Sequence, residues 1–416
     1  MLSEEILSKY EMTVGIECHV QLATKTKLFS GADNDEREKS PNSVVSPIDF
    51  GLPGMLPVLN RGAVDLAIIA GKALNSPINH VSRFDRKHYF YPDLPKGYQT
   101  TQMYQPIIGP GLIKVPLEDD TSVDVRINHA HLEEDAGKLT HRGTFSLVDL
   151  NRAGTPLIEI VSEPDIHSSA QAKAFVIELY RLMTYTGVTR GDLYHGNMRF
   201  DVNTSAALKG SSELGTRSEV KNLNSFRSVE RAVEFEFHRQ VEMLEGGEKV
   251  VQETRGWDES KQRTLSQRNK EDSQDYRYMP DADIPPIVLS EEEIAEIQSK
   301  MPELPGFYRE EWKDFGFDNT VINALIASQL TAQLLQRIYK KTNNKKASRR
   351  IGLWMIIIID RQTEDNEPLI DRHINITDNQ FIDLSNMVEA NELSSTAAKE
   401  ILFEMLESDK DPRTIP

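Results

Sequence analysis

Cysteine is almost missing from this chain: Cys18 stands alone among 416 residues. A lone thiol excludes an internal disulfide framework and any multi-cysteine zinc site, so no zinc is expected. Long apolar runs are lacking too. The longest, Ile351 to Ile359, is about nine residues, against the roughly 20 that a membrane-spanning helix needs. The N-terminal MLSEEILSKYEM has acids early and no apolar stretch before a small-residue cleavage site, so it is not read as a secretory signal. Together these absences predict a cytoplasmic protein with no membrane partner. The usual glycine-rich nucleotide cradles are absent as well. Gly71-Lys72 and Gly137-Lys138 lack the upstream glycine of a P-loop, no GxGxxG follows a strand, and no GxSxG elbow occurs. Positive charge is in deficit, with 48 Lys+Arg against 65 Asp+Glu and a net charge of −17. That balance opposes broad electrostatic attraction to nucleic acid, but leaves room for a local basic patch.

What is there reads as folded. Hydrophobic residues make up 38% and charged residues 27%, spread along the chain, which is too apolar for a disordered protein. At roughly 150 residues per domain the length implies two or three domains. The fold class read from the pattern is α+β followed by an all-α region. Strand candidates are MTVGIECHVQL, SVDVRINHAHL and TPLIEIVSE. One long helix is expected through SSAQAKAFVIELYRLMTYTG, with Phe175, Leu179 and Leu182 on one stripe and Gly187 as the stop. A second runs through SFRSVERAVEFEFHRQVEMLEGG, where Phe226, Val229, Val233 and Phe237 recur at helical spacing. The break lies in PDADIPPIVLSEEE: paired prolines forbid helix, then Ser290 and Glu293 form a capping box. The domains expected are residues 1–288 and 289–416.

Carboxylates and histidines in short strands are the candidates for chemistry. Strand alternation places Glu17, His19 and Gln21 on one face of VGIECHVQL, with Ile16, Cys18 and Val20 on the other. A carboxylate beside an imidazole is half of a divalent-metal site, or else the solvated face of an ordinary amphipathic strand. In HAHLEED, Glu133 and Glu134 point to opposite faces of an ideal strand, so spacing alone does not choose between them. Glu159 lies within the apolar LIEIV, where a carboxylate is costly to bury unless paired, protonated or metal-bound. Arg199, Asp201 and Asn203 share a face, which a salt bridge explains equally well. Arg217, Lys221, Asn222 and Asn224 precede the second long helix, whose N-terminus favours phosphate. Arg86-Lys87 and Tyr276-Arg277-Tyr278 set further cations among aromatics.

In combination these blocks are specific. VGIECHVQL, LPGMLPVLN, FDRKHYFYPDLPKGYQ, HLEEDAGK, DLNRAGTPLIEIVSEPD, MRFDVN, GTRSEVKNLNSF, ETRGWDES and DYRYMPDADIPP run in order over about residues 12 to 290. This run resembles the GatB/GatE family, the GatB-type subunits of the aspartyl/glutamyl-tRNA(Asn/Gln) amidotransferases. The resemblance implies a glutamine-synthetase-like catalytic cradle over 1–288 and a helical tRNA-binding domain over 289–416. It further implies ATP and Mg²⁺, and ammonia released from glutamine by a separate amidase subunit, in a heterotrimer completed by a small third subunit. The implied reaction phosphorylates the side-chain carboxylate of Glu-tRNA(Gln) or Asp-tRNA(Asn), and ammonia then displaces phosphate. Carried over residue by residue, Glu17, His19, Glu134, Glu159 and Asp201 are the catalytic candidates. His19, Glu134, Glu159 and Asp201 are the metal ligands among them, with Glu134 favoured over Glu133. Arg199, Lys221 and Arg277 are the phosphate-binding candidates. The family's further small helical tail would begin where this sequence ends, so it is expected to be absent.

The basic patch expected to hold tRNA lies in RIYKKTNNKKASRR, with Lys340, Lys341, Lys345, Lys346, Arg349 and Arg350 and no acid between them. The competing reading, from a different class, is a non-catalytic tRNA-binding scaffold. Such a scaffold has no use for mutually repelling acids.

Overall fold

Strict apolar alternation builds the centre of the molecule. In the computed structural model, which describes residues 2–269, 275–363, 374–408 and 410–415, strand β1 (Tyr10–Gln21) buries Tyr10, Met12, Val14, Ile16, Cys18 and Val20 on one face. Each such apolar side chain removed from water is worth about 1.5–3 kcal/mol. That burial locks the register, because a one-residue slip would drive Glu17 and His19 into the core.

Seven more strands join β1. They are β2 (Gly111–Pro116), β3 (Ser122–Glu134), β4 (Pro156–Ser162), β5 (Met198–Leu208), β6 (Ser218–Leu223), β7 (Glu253–Asp258) and β8 (Arg263–Asn269). Their order is β8-β7-β6-β5-β1-β4-β3-β2. Every neighbouring pair is antiparallel except β6 and β7, which are parallel. A parallel pair needs a crossover, and a long helix between the two strands supplies it.

Before that crossover come a single turn, α1 (Glu4–Leu7), then α2 (Arg61–Ala73) and α3 (Ser169–Tyr185); the crossover itself is α4 (Phe226–Glu245). Ser168 and Ser225 cap α3 and α4, and Gly187 with φ of +67° stops the chain just beyond α3. The two long helices pack together, and α4 lies on β5, β6 and β1. Phe175, Val176, Leu179, Val229, Val233 and Phe200 are fully buried. The other sheet face is thereby left to carry polar groups.

Contacts divide the chain into Met1–Pro302 and Glu303–Pro416. The first unit therefore extends past the proline pair and includes α5 (Glu291–Gln298), whose capping box of Ser290 and Glu293 forms as the sequence predicts. The reason is packing. Ile294 and Ile297 are buried, α5 lies against α2, and Ile287–Val288 pairs with Val81–Ser82. The second unit has only helices among its described residues: α6 (Pro305–Glu311), α7 (Asn319–Leu325), α8 (Gln329–Thr342), α9 (Lys345–Thr363), α10 (Asp378–Glu389) and α11 (Ser395–Glu407), with two short 3₁₀ turns. No helix among the described residues is long and apolar enough to cross a membrane.

Candidate functional site

The registers of four central strands align charged residues into a row. His19 on β1 stands opposite Glu159 on β4 and Arg199 on β5, and Glu159 stands opposite His131 on β3. Two residues along β3, on the same face, is Glu133. His19 Nε2 lies 3.5 Å from Glu159 Oε2 and 3.7 Å from Glu133 Oε1. His131 Nε2 lies 3.5 Å from Glu159 Oε2 and 3.8 Å from Glu133 Oε2. These spacings exceed hydrogen-bond length. His131 Nδ1 is buried without a hydrogen-bond partner, and its ring stacks on His129 at 5.3 Å.

A second row lies one step along β1. Glu17 stands opposite Asp201 on β5, and Glu219 on β6 completes a carboxylate trio. Lys221 Nζ bridges Asp201 at 3.0 Å and Glu219 at 2.7 Å. A register shift between β5 and β6 and a left-handed Asn222 turn its backbone N–H onto Asp201 Oδ1 at 2.8 Å. Asn203 Nδ2 donates to Glu17 Oε1 at 3.1 Å.

The electrostatics follow from crowding of charge. Burial alone would lower the His19 pKa, but contact with Glu159, then the charges of Glu133 and Asp201, raise it to about 9. Burial alone would raise Glu159, yet His131 and His19 hold it well below the usual carboxylate range. Glu17 is pushed up by burial and by Glu159. Lys87, at 4.9 Å from the Tyr276 ring, is held charged by Glu133, Tyr278 and Glu159 against the opposing effect of its burial.

Two sets of ligand atoms, each within 4.8 Å of one another, result: His19 with Glu133 and Glu159, and Glu17 with Asp201 and Glu219. Oxygen-rich sets of this kind suit hard divalent cations, with one imidazole in the first set. His19, Glu159 and Asp201 therefore sit where a metal could bind, and Glu17 joins them. Glu134 does not. It turns to the other side of β3, where its carboxylate accepts from Thr100 N at 2.9 Å and pairs with Lys96, and Glu133 occupies the site face instead. Arg199 is tied to Asp135 at 2.7 Å, beside the first set. Arg277 is exposed with φ of +41°, and its carbonyl accepts from His88. Sequence reasoning did not reach Glu219 or His131 as members of the site, and reached Lys87 only as a cation set among aromatics. Glu219 and Lys221 alternate in SEVKN, which was the available signal for the first of these.

In the helical unit, the basic stretch is largely neutralised by acids distant in sequence. Arg337 and Lys341 pair with Asp378, Lys345 with Asp314, and Lys346 and Arg350 with Glu389. Among the described residues Lys340 and Arg349 make no side-chain ion pair.

A largely antiparallel sheet with two acid-rich clusters on one face that could hold cations, backed by helices on the other, defines a mixed α/β protein with a polar site on its sheet. Residues 12–295 match the family model described as GatB/GatE catalytic domain, and residues 332–416 match one described as GatB domain. The chain belongs to the GatB/GatE family. It is 45% identical over 412 residues to the GatB protein of Caldicellulosiruptor saccharolyticus, a subunit of aspartyl/glutamyl-tRNA(Asn/Gln) amidotransferase, covering 98% of this chain and 85% of that protein. The counterpart of the same name from Thermotoga maritima is 42% identical over 419 residues, with 98% and 85% covered. That of Synechococcus sp. is 42% identical over 415 residues, with 98% and 84% covered.

Proposed function

We propose that this chain is the component of a tRNA-dependent amidotransferase that activates a carboxylate with ATP and then amidates it. The observation that carries the reading is the pair of ligand sets, His19/Glu133/Glu159 and Glu17/Asp201/Glu219, on one face of a single sheet. The substrate would be Glu-tRNA(Gln), Asp-tRNA(Asn) or both. The first unit would serve as a glutamine-synthetase-like cradle, and the helical second unit would hold tRNA. A glutamine-hydrolysing amidase and a small third protein would complete the heterotrimer, in the cytoplasm.

Phosphorylation answers a definite chemical problem, because a carboxylate oxygen is a poor leaving group. The side-chain carboxylate attacks the γ-phosphorus of ATP and ADP leaves. Ammonia then attacks the carbonyl carbon, phosphate leaves, and the proton shed by nitrogen passes to a nearby base. Mg²⁺, held by Glu17, His19, Glu133, Glu159, Asp201 and Glu219, would neutralise phosphate charge and align the reacting oxygens. Lys221, and Arg199 once released from Asp135, stand beside the two sets to meet further phosphate charge, with Arg277 as a third, more exposed candidate. Glu159, and His131 beside it, fit the base's role by position.

The test is amide formation on Glu-tRNA(Gln) and on Asp-tRNA(Asn) by the reconstituted complex, with ATP, Mg²⁺ and ammonium chloride, comparing wild type with Asp201→Asn. Ammonium bypasses the amidase. Product should fall at least about 100-fold in the variant with tRNA binding retained, since even residues behind a metal ligand are worth 10- to 100-fold. Equal product from both proteins removes Asp201 from the site. Absence of product from wild type on either tRNA leaves the scaffold reading in its place.

A further inference from the structure

Between the strands that carry Glu133 and Glu159 the chain makes a detour that the large sheet does not require. β3 ends at Glu134 and β4 begins at Pro156. In the interval Lys138–Arg142 pairs with Phe145–Asp149 as a hairpin that forms a sheet of its own, turning at Gly143-Thr144 with φ of +58° at Gly143. Its root is tightly held. The Asp135 N–H donates to the Thr155 carbonyl at 2.8 Å, and the Asp135 carbonyl accepts from Gly154 N at 3.0 Å. Arg152 donates to the Ala136 and Gly137 carbonyls, and a Cβ on Gly137 would lie 2.8 Å from the Asp149 carbonyl oxygen. Beyond that root, five residues in each strand make an arm roughly 15 Å long.

One face of the arm is set for contact. Register puts Phe145 opposite Arg142, Leu147 opposite Thr140 and Asp149 opposite Lys138, so these six side chains share a face. Phe145 is 60% exposed and Leu147 53%. A lone two-stranded hairpin is marginally stable in water, and turning Phe and Leu outward forgoes the burial that would stabilise it. The cations beside them are uncommitted. Among the described residues Lys138 and Arg142 make no side-chain ion pair, and the Asp149 carboxylate accepts from the backbone N–H groups of Asn42 and Asn151 instead. Asp149 is the one acid in KLTHRGTFSLVD, on a chain of net charge −17. The arm is therefore complementary to a polyanion, and an aromatic ring among cations is the combination that holds unpaired nucleotides, bases on the ring and phosphates on the cations.

We propose that this arm holds the unpaired 3′ strand of aminoacyl-tRNA, with Phe145 as the stacking platform and Lys138 and Arg142 on its phosphates. This rests on the aminoacyl-tRNA reading above and names the surface that guides that substrate to the site. The amino acid is esterified to the last nucleotide of the strand. A side-chain carboxylate placed beside the ligand sets therefore brings the preceding nucleotides to the rim of the sheet, where the arm is rooted. Lys138 follows Glu133 by five residues, at most about 17 Å of chain. The root also touches the site face directly, since Asp135 pairs with Arg199 at 2.7 Å.

The test is a binding titration on the reconstituted complex over a range of salt, using the tRNA that supports amidation, intact and without its unpaired 3′ nucleotides. Phe145→Ala should weaken intact tRNA at least about fivefold and leave the shortened tRNA unchanged. Phe145→Tyr, which keeps the ring, should bind as wild type does, whereas Phe145→Leu, apolar but ringless, should match the alanine variant. Lys138→Ala with Arg142→Ala should lower the slope of log affinity against log salt by about 1.4 for intact tRNA alone, at 0.7 for each single-strand phosphate contact. Melting temperature should hold in all of them, because these side chains lie outside the core. Unchanged affinity in the alanine variants overturns the proposal, as does equal weakening of intact and shortened tRNA. Release of the amidase from the complex with tRNA affinity retained would overturn it in favour of a protein-docking arm. Absence of amide from wild type on either tRNA would remove the functional reading, and this inference with it.

Discussion

Two clusters of charge belong to the same sheet, and the fold treats them oppositely. Against helix α4, Glu236 is fully buried and fully served. Its Oε1 accepts from Arg239 Nε at 2.9 Å, and its Oε2 accepts from Thr264 Oγ1 at 2.9 Å and faces Arg255 Nε at 3.4 Å. Arg255 in turn donates to Thr264 and pairs with Glu253, while Arg239 donates to Ser218. On the site face, His19, His131, Glu133 and Glu159 stand 3.5–3.8 Å apart, and one buried ring nitrogen has no partner. Closed networks hold structure, whereas this open one leaves lone pairs available to a ligand.

Breaking the closed network should have the largest effect. Glu236→Ala leaves Arg239 and Arg255 without their shared carboxylate, which lowers stability by about 3–5 kcal/mol. Glu133→Gln, in the open set, keeps the side chain's volume and removes a charge that faces His19 and His131 at 3.7 and 3.8 Å, beyond hydrogen-bond length, so it should cost less, about 1 kcal/mol. Chemical denaturation of both variants measures the contrast. Equal losses would mean that the two clusters are both structural.

Protonation gives a second, smaller contrast. The folded, metal-free His19 titrates at about 9, above the ordinary histidine value of about 6.5. Its stabilising contribution is therefore complete below pH 6.5 and is lost as pH rises through 9. A metal ligand must be the neutral imidazole, so a divalent cation bound there displaces that proton. Apparent Mg²⁺ affinity should rise by up to about tenfold between pH 7 and pH 8, with about one proton released per cation at pH 7. Calorimetry in buffers of different ionisation enthalpy reads both quantities. Affinity that stays flat from pH 7 to 9 would take His19 out of the ligand set.

Much of this was legible in the sequence where periodicity alone decides. β1, α3 and α4 follow their apolar patterns, and Ser290 with Glu293 caps α5 as written. Strand alternation singled out Glu17 and His19, an acid within an apolar strand singled out Glu159, and Asp201 became a candidate only through the resemblance to the family. What pairing adds was not visible. That Glu159 falls between His19 and His131 is a fact of register across three strands distant in sequence. Glu133 against Glu134 turns on where β3 ends its pleat, and Lys96, about forty residues earlier, claims Glu134. The end of the first unit was hidden for the same reason, since only tertiary packing ties α5 to α2.

The comparison of open and closed charge extends to the helical unit, where the effect should be smallest. RIYKKTNNKKASRR reads in sequence as a basic run without acids, yet Asp314, Asp378 and Glu389 arrive from other helices and take up most of its cations. Cations already paired release few counterions on meeting a phosphate, because the partner acid must first be given up. Among the described residues, Lys340 and Arg349 have no such acid to give up. If this face binds tRNA, replacing Lys340 and Arg349 together by alanine should reduce the slope of log affinity against log salt by about 2, close to one per lost phosphate contact. Replacing Lys341 and Lys346 should reduce it by less, although the formal charge removed is the same. Each of these exposed changes should leave stability within about 0.5 kcal/mol of wild type. Equal slope changes from the two pairs would show that ion pairing within the unit does not gate the contact. An unchanged slope from all four would move tRNA binding off this helix face.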